Sequence, residues 1–189
     1  RDQFTILYPG QFYRKKRNPE MLFSAVSNLL DKEIDPNGIQ IEFYGYAEPW
    51  VDKLADQYNV QDCIYIRDFV PQTEILKRER ESHCLLSLHW DDSRAEGVYT
   101  GKIFEYLGAE RPIAAINPPR VVEQLLEETG AGESFSSSEE LSDWIYKQYS
   151  IFQETGEVKY EADPTVVEKY SQQKMAKNFE NLIIKNSPN

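Results

Sequence analysis

Short apolar runs alternate along the chain with longer segments whose apolar residues recur at helical spacing. The apolar runs predict strands at 4–8, 39–45, 63–70, 83–90 and 111–117, and a short edge strand at 132–136. The segments between them predict helices at 19–32, 49–59, 71–82, 120–130 and 137–153, with a further helix beginning near Thr100. Such alternation is typical of an α/β protein, so we expect a Rossmann-like, doubly wound, mostly parallel sheet flanked by helices.

The end of the chain predicts one extra C-terminal helix outside this alternation. Polar residues before position 164 predict a joint, and residues 163–186 predict the helix. We therefore expect a Rossmann-like domain at 1–162, followed by a segment, 163–189, that packs across to another part of a longer protein. The chain also opens at Arg1 without a methionine and enters a strand-like stretch at once, which favours an excised piece.

Composition narrows the class of function. A formal charge of −11 disfavours nucleic acid or anionic lipid as a partner of the whole surface, because both are bound through Lys and Arg. No apolar run approaches the roughly 18 residues that a membrane span needs. Cys63 and Cys84 sit in strand-like apolar runs, which favours buried thiols over a disulfide or a metal role.

Candidate chemistry belongs at the carboxyl ends of the strands, where doubly wound sheets bind ligands. The first loop, 9–20, carries four consecutive cations, Arg14, Lys15, Lys16 and Arg17. They are either solvated surface charges, or at least one points back over the strand end and neutralises a diphosphate. Gly10 would let a ligand approach the backbone. Neither a Gly-x-Gly-x-x-Gly pattern nor a Walker loop occurs in the sequence.

The loop at 91–101 runs into a helix whose start could hold phosphate through backbone amides near Thr100. On that helix Lys102 and Glu105 are either an exposed ion pair or ligands of phosphate and sugar hydroxyls. His89, at the end of the preceding strand, is either structural or faces the ligand. Asp91 and Asp92 enter a loop, where acidic residues are more often solvated than bound to a metal ion.

The order of these pieces resembles the C-terminal, nucleotide-sugar-binding domain of the group 1 family of retaining glycosyltransferases, which have the two-Rossmann-domain GT-B architecture. The likeness covers nearly the whole chain, and its most specific part is "GKIFEYLGAERPIAAI" at 101–116. This segment is similar to the variant common in bacterial transferases of surface polysaccharide synthesis.

The resemblance implies roles for individual residues. Lys16, six residues after Gly10, would be catalytic by contacting the donor diphosphate. Gln11 replaces an arginine of the family, so one phosphate contact is either lost or supplied by Arg14 or Lys15. Glu105 would bind the ribose. Glu96 would be the catalytic glutamate that contacts the donor sugar, although its spacing to Glu105 is one residue too long. The implied donor-binding residues are Gly10, Gln11, Arg14, Lys15, Arg67, Phe69, Val70, His89, Thr100, Gly101, Lys102, Ile103 and Glu105.

The implied activity is transfer of a hexose from a nucleotide-diphosphate sugar, UDP- or GDP-linked, with retained anomeric configuration. It implies no cofactor, no metal and a cytoplasmic protein, whose membrane contact would be peripheral, at the inner membrane. The acceptor site would lie on an N-terminal domain absent from this sequence, so the fragment alone would be inactive. The alternative is a catalytically degenerate nucleotide- or sugar-binding module, or a protein-interaction domain on the same fold.

Overall fold

The computed structural model describes residues 2–13, 16–32, 34–90, 97–177 and 180. The strands of the sheet are β1 (Phe4–Pro9), β2 (Ile39–Tyr44), β3 (Ile64–Arg67), β4 (Cys84–Leu88), β5 (Ile113–Ile116) and β6 (Gly132–Phe135). The helices that connect them are α1 (Glu20–Leu30), α2 (Pro49–Gln57), α3 (Gln72–Glu81), α4 (Gly101–Ala109) and α5 (Arg120–Thr129). Two further helices, α6 (Ser138–Thr155) and α7 (Pro164–Val167), follow the last strand.

The six strands form one sheet in the order β3-β2-β1-β4-β5-β6, and every neighbouring pair is parallel. This confirms the predicted Rossmann-like fold, and residues 132–135 form its parallel edge strand as expected. The chain leaves β1 towards β2 but leaves β4 towards β5, so the connections diverge between β1 and β4. Such a divergence opens a crevice at the carboxyl edge of the sheet.

Each face of the sheet has its own apolar core because successive side chains of a strand point to opposite faces. Along β1, Phe4, Ile6 and Tyr8 pack with α1, α2 and α6, whereas Leu7 packs with α4 and α5. These helices present their other faces to solvent. Within the described ranges, no helix carries an apolar stretch long enough to cross a membrane.

Both cysteines are buried free thiols, as the sequence predicted. Burial raises the pKa of the Cys63 thiol to about 11, and the nearby Asp62 and Asp35 carboxylates act in the same direction. Burial also raises the pKa of Cys84, which Arg111 opposes. Both thiols are therefore protonated at neutral pH and are part of the core.

The prediction of one continuous helix at 163–186 is wrong within the described residues. Helix α7 ends at Val167, a 3₁₀ turn follows at Glu168–Tyr170, and Ser171 is extended at ψ 147°. The Ser171 hydroxyl accepts a hydrogen bond from the Lys174 amide at 3.3 Å, so it begins a new helical segment at 172–177. The Tyr170 hydroxyl donates to Glu128 on α5 at 2.8 Å, so this part contacts the Rossmann-like domain. Packing against a further domain stays a prediction.

Candidate functional site

A cavity of about 330 Å³ opens at the carboxyl ends of β1, β2 and β3, against the first turns of α3 and α4. It joins the residues that directly follow β1, β2 and β3 to the helices α3 and α4. Its lining residues are Pro9, Gly10, Gln11, Tyr44, Gly45, Phe69, Val70, Gln72, Ile75, Lys102 and Glu105. Loops that are far apart in sequence therefore build one site at the edge where α/β sheets bind ligands.

Two glycines allow the loops after β1 and β2 to touch. A Cβ atom on Gly45 would lie 2.6 Å from the carbonyl oxygen of Gly10. The amide of Gly10 donates to the Tyr44 carbonyl at 2.9 Å, and the amide of Gly45 donates to the Arg67 carbonyl at 3.1 Å. These bonds extend the pairing of β1, β2 and β3 beyond the strands and fix the floor of the cavity. Gly45 was not among the predicted site residues.

Lys102 and Glu105 of α4 line the cavity, and both side chains are half-buried. Glu105 accepts a hydrogen bond from Gln72 Nε2 at 3.2 Å. Burial lowers the pKa of Lys102, and the charge of Arg17 lowers it further, whereas the carboxylates of Glu105 and Glu79 raise it. Both groups are thus half-buried and face the cavity rather than fully exposed on the outside of the helix.

Helix α4 is docked by its apolar side. Ile103 and Tyr106 are fully buried, and the Tyr106 hydroxyl donates to the Leu86 carbonyl of β4 at 3.0 Å. This contact turns the opposite side, with Lys102 and Glu105, towards the cavity. Ile103 contributes to the core rather than to the lining.

The helix begins where the sequence predicted. Thr100 is its N-cap residue, with extended backbone angles of φ −82° and ψ 139°, and its side chain makes no capping hydrogen bond. Gly101 is exposed, and a Cβ atom there would meet none of the described residues within 4 Å. Within the described residues, nothing covers Gly101 at the start of α4.

Lys16 lies at the crevice between β1 and β4. Its ammonium is 4.5 Å from the centroid of the Trp90 ring, in the position of a cation–π contact, and the side chain is exposed. Lys16 does not line the cavity. Arg14 and Lys15 lie outside the described residues, as do Glu96, Asp91 and Asp92.

Arg17 is a functional candidate that the sequence did not single out from its neighbours. Its amide donates to the carbonyl of the buried Phe12 at 3.0 Å, and its guanidinium carbon lies 4.8 Å from the Tyr13 ring centroid. Its Nε is buried and has no hydrogen-bond partner in the described part of the chain. Its charge acts on Tyr8 and His89 as well as on Lys102, so it lies at the centre of the carboxyl edge. The run of four cations indicated a possible phosphate contact, but their spacing in the sequence does not distinguish Arg17 from the other three.

His89 is buried and its Nε2 lies 2.8 Å from the Ser87 hydroxyl oxygen. Burial lowers its pKa to about 4, and the positive charge of Arg17 contributes to the shift. The imidazole is therefore neutral at neutral pH. It does not line the cavity, so the structure places it behind the site.

Of the three donor-binding residues predicted at the end of β3 and in the loop after it, two line the cavity and one does not. Phe69, 74% exposed, and Val70 line the cavity. The Arg67 side chain instead lies against β2 and its own strand, with Nε 3.8 Å from Glu42 Oε1 and the guanidinium carbon 5.1 Å from the Tyr65 ring centroid. Arg67 therefore contributes its backbone carbonyl to the edge of the site rather than its charge.

Among the residues that the structure describes, no group of three or more His, Cys, Asp and Glu side chains is arranged to hold a metal ion. The polar groups of the cavity are the Lys102 ammonium, the Glu105 carboxylate, the Tyr44 phenol, amide side chains and backbone. Such a lining suits an organic anion with hydroxyl groups.

Comparison with known proteins identifies the fold. No protein-family model matches the chain, and no curated protein matches its sequence. Solved structures do match. A glycosyltransferase from Rickettsia africae superposes with a TM-score of 0.70 over 99% of this chain, at 21% sequence identity. The chain has the fold of a GT-B glycosyltransferase domain.

Two further structures show the same glycosyltransferase fold. Anabaena HepE in complex with UDP-glucose matches with a TM-score of 0.67 over 95% of this chain, at 13% identity. WaaG, a glycosyltransferase involved in lipopolysaccharide biosynthesis, matches with a TM-score of 0.64 over 99%, at 12% identity. This chain spans 49% of the Rickettsia protein, 49% of HepE and 48% of WaaG.

Proposed function

We propose that this chain is the donor-binding domain of a retaining glycosyltransferase that transfers a hexose from a nucleotide-diphosphate sugar. The observation that carries the proposal is the cavity at the carboxyl edge, which joins two glycine loops to the charged side of α4. The matching fold of solved glycosyltransferases supports it. A sheet of this order binds nucleotides at this edge in other proteins.

The donor would lie along the cavity with its base against the loop of Phe69 and Val70. The Glu105 carboxylate would accept hydrogen bonds from the ribose, in place of the one that it accepts from Gln72. The diphosphate would meet Lys102 and the start of α4, where amides and the helix dipole favour negative charge.

Arg17 and Lys16 would neutralise the remaining negative charge of the diphosphate from the side of the loop after β1. The buried Nε of Arg17 has no hydrogen-bond partner among the described residues, and an oxygen of the donor can satisfy it. Lys16 would leave its contact with Trp90 or extend past it to reach the same group.

During transfer the bond between the anomeric carbon and the diphosphate oxygen breaks, and the acceptor oxygen bonds to the same face of the sugar. Negative charge then builds on the leaving diphosphate. Lys102, Arg17, Lys16 and the amides at the start of α4 stabilise that charge, which lowers the barrier. The acceptor proton passes to a base on another domain, so this chain alone binds donor without catalysing transfer.

The choice of donor and setting is part of the proposal. The structure of HepE with UDP-glucose supports a UDP-sugar first, with a GDP-sugar second. The role of WaaG in lipopolysaccharide biosynthesis supports a place in bacterial surface polysaccharide synthesis. A cytoplasmic location, peripheral at the inner membrane, is part of the same proposal.

Titration calorimetry of this chain against UDP-, GDP-, ADP- and dTDP-sugars tests the proposal. We expect one class to bind, and no heat from any of them at about millimolar concentration would overturn it. A degenerate binding module is the second candidate, because Gln11 lines the cavity where the resembling family has an arginine. Transferase activity of the full-length protein separates the two.

A further inference from the structure

Glu79 on α3 is a buried acid that the proposed chemistry does not use. Its side chain is 0% exposed, and neither carboxylate oxygen has a hydrogen-bond partner in the described part of the chain. Burying an ionised carboxylate without a partner costs far more than burying a neutral carboxylic acid. The site therefore favours a protonated side chain at this position.

The position of Glu79 places it under the cavity. Gln72, Ile75 and Glu79 are three and seven residues apart, so they share one side of α3. The first two line the cavity, and Gln72 contacts Glu105. Glu79 lies one turn further along the same side and is buried there.

Four titratable or charged groups face Glu79. Lys102, Glu105 and the phenol of Tyr106 act on it or respond to it from α4, and Arg80 acts from α3 itself. Burial raises the pKa of Glu79 to about 7, and the negative charge of Glu105 adds to the increase, whereas Lys102 and Arg80 oppose it. The proton thus leaves Glu79 close to neutral pH.

The proton on Glu79 sets the charge around the cavity. Lys102 responds to three other charges, those of Glu105, Glu79 and Arg17. With Glu79 protonated, the cations exceed the carboxylates in this group by one charge. With Glu79 ionised, the group is neutral, and an anionic ligand loses its electrostatic attraction.

We propose that Glu79 is a positioning residue that carries a proton beneath the cavity when the anionic donor binds, so that donor binding takes up a proton. The proposal rests on the proposed function. Its consequence is that affinity for the nucleotide sugar falls as the pH rises through neutrality, because the donor must then restore the proton.

Calorimetry with UDP-glucose tests this linkage in the wild type and in Glu79→Gln, which imitates the protonated acid. The diphosphate of a nucleotide sugar is doubly esterified and does not titrate near neutrality, unlike a terminal phosphate with a second pKa of about 6. We expect wild-type affinity to fall by up to about tenfold between about pH 6 and about pH 8, as one pKa unit of coupling requires. Measurements in buffers of different protonation enthalpy should show proton uptake.

In Glu79→Gln the affinity should stay constant over this range and the proton uptake should be lost. Glu81→Gln is the matched control, since Glu81 is exposed on the same helix and pairs with Lys77 at 3.7 Å. It should retain the wild-type profile. An unchanged profile in Glu79→Gln, or no pH dependence in the wild type, would overturn the proposal.

Thermal unfolding without donor separates this inference from the proposed function. An acid whose pKa is raised in the fold loses stabilisation as the pH rises from its ordinary value of 4.5 to about 7. The melting temperature of Glu79→Gln should therefore rise relative to wild type as the pH increases. Glu79→Met, similar in length and apolar, provides a second variant if the buried amide of Gln prevents folding.

The outcomes are distinct. If UDP-glucose and the other nucleotide sugars give no heat at any pH, the proposed function fails, and the unfolding data still show whether Glu79 holds the proton. If UDP-glucose binds but neither Glu79 variant changes the pH profiles of binding and unfolding, the role of Glu79 fails and the proposed function stands.

Discussion

Gln72 on α3 donates to Glu105 on α4 at 3.2 Å, which joins the two helices at the mouth of the cavity. The two residues lie on helices that follow different strands, β3 and β4, and they meet because α3 and α4 cover the same face of the sheet. The contact holds the Glu105 carboxylate towards the cavity before any ligand arrives. A ribose that replaces Gln72 would find this acceptor already oriented.

Glu105→Ala should weaken binding of the nucleotide sugar by about tenfold to a hundredfold, the value of a hydrogen bond to a charged group. Calorimetry measures the loss. Glu133→Gln, an exposed acid on β6, is the control and should bind as the wild type does. Equal affinity of Glu105→Ala and wild type would remove Glu105 from the donor site.

Arg17→Ala should weaken donor binding by at least about tenfold, because it removes a partly buried guanidinium whose Nε has no hydrogen-bond partner in the described part of the chain. Arg17→Lys keeps the charge without the planar fork, so it should bind with intermediate affinity. Arg120→Ala, on an exposed ion pair of α5, serves as the control. A loss in Lys16→Ala but not in Arg17→Ala would assign the diphosphate contact to Lys16.

Gly45→Ala should lower both stability and donor affinity, since its Cβ would lie 2.6 Å from the Gly10 carbonyl oxygen. A cost of about 1–3 kcal/mol in the free energy of unfolding is typical of overpacking. Gly101→Ala is the contrast, because its Cβ would meet none of the described residues within 4 Å. It should leave the free energy of unfolding unchanged or raise it slightly, while weakening a donor seated at the start of α4. Full affinity in Gly101→Ala would place the diphosphate elsewhere.

His89 should make the fold sensitive to acid. Its pKa is lowered to about 4 in the fold from an ordinary value of 6.5, so the neutral ring stabilises the fold above pH 6.5 and this contribution is lost as the pH falls towards 4. The loss amounts to about 3 kcal/mol at most. We therefore expect the free energy of unfolding, measured with urea at several pH values, to fall less between pH 6.5 and pH 4 in His89→Gln than in the wild type. An equal decrease in both proteins would contradict the assignment.

Glu79 acts in the opposite direction between about pH 4.5 and pH 6.5, because its stabilisation is lost as the pH rises. In the wild type, the contributions of His89 and Glu79 to the pH dependence of the free energy of unfolding therefore partly cancel. The two single variants, compared with wild type at each pH, separate them.

Donor binding by this chain and transfer by the full-length protein should both survive EDTA. The proposed charge stabilisation comes from Lys102, Arg17 and backbone amides rather than from a metal ion. Activity that EDTA abolishes and added Mg²⁺ restores would contradict this part of the proposal.

Much of the fold followed from the sequence, and particular elements show why. The start of α4 at Thr100 and the cap of α6 at Ser137, whose hydroxyl accepts from the Glu140 amide at 3.3 Å, were both predicted. These are local features that depend on a few neighbouring residues. The sequence did not predict the break at Ser171. Apolar residues continue at helical spacing past this position, whereas the extended backbone of Ser171 interrupts the helix.

The site was only partly predictable. Gly10, Gln11, Phe69, Val70, Lys102 and Glu105 were predicted and line the cavity. Gly45, Gln72, Arg17 and Glu79 were not singled out. Nothing local distinguishes Arg17 from its neighbours, because its place depends on a turn in which Tyr13 adopts φ 49° and the Arg17 amide pairs with Phe12.

The sequence by itself determined the order of strands and helices and the edge at which a ligand would bind. Those features depend on which positions of each strand and helix are buried, and the spacing of apolar residues along the chain predicts these positions. Only the tertiary structure decided which charges surround the cavity. The docking of α4 through Ile103 and Tyr106 turns Lys102 and Glu105 inwards, and the packing of α3 against it buries Glu79 beside them. Burial and proximity set the pKa of such groups, and neither is visible along the chain.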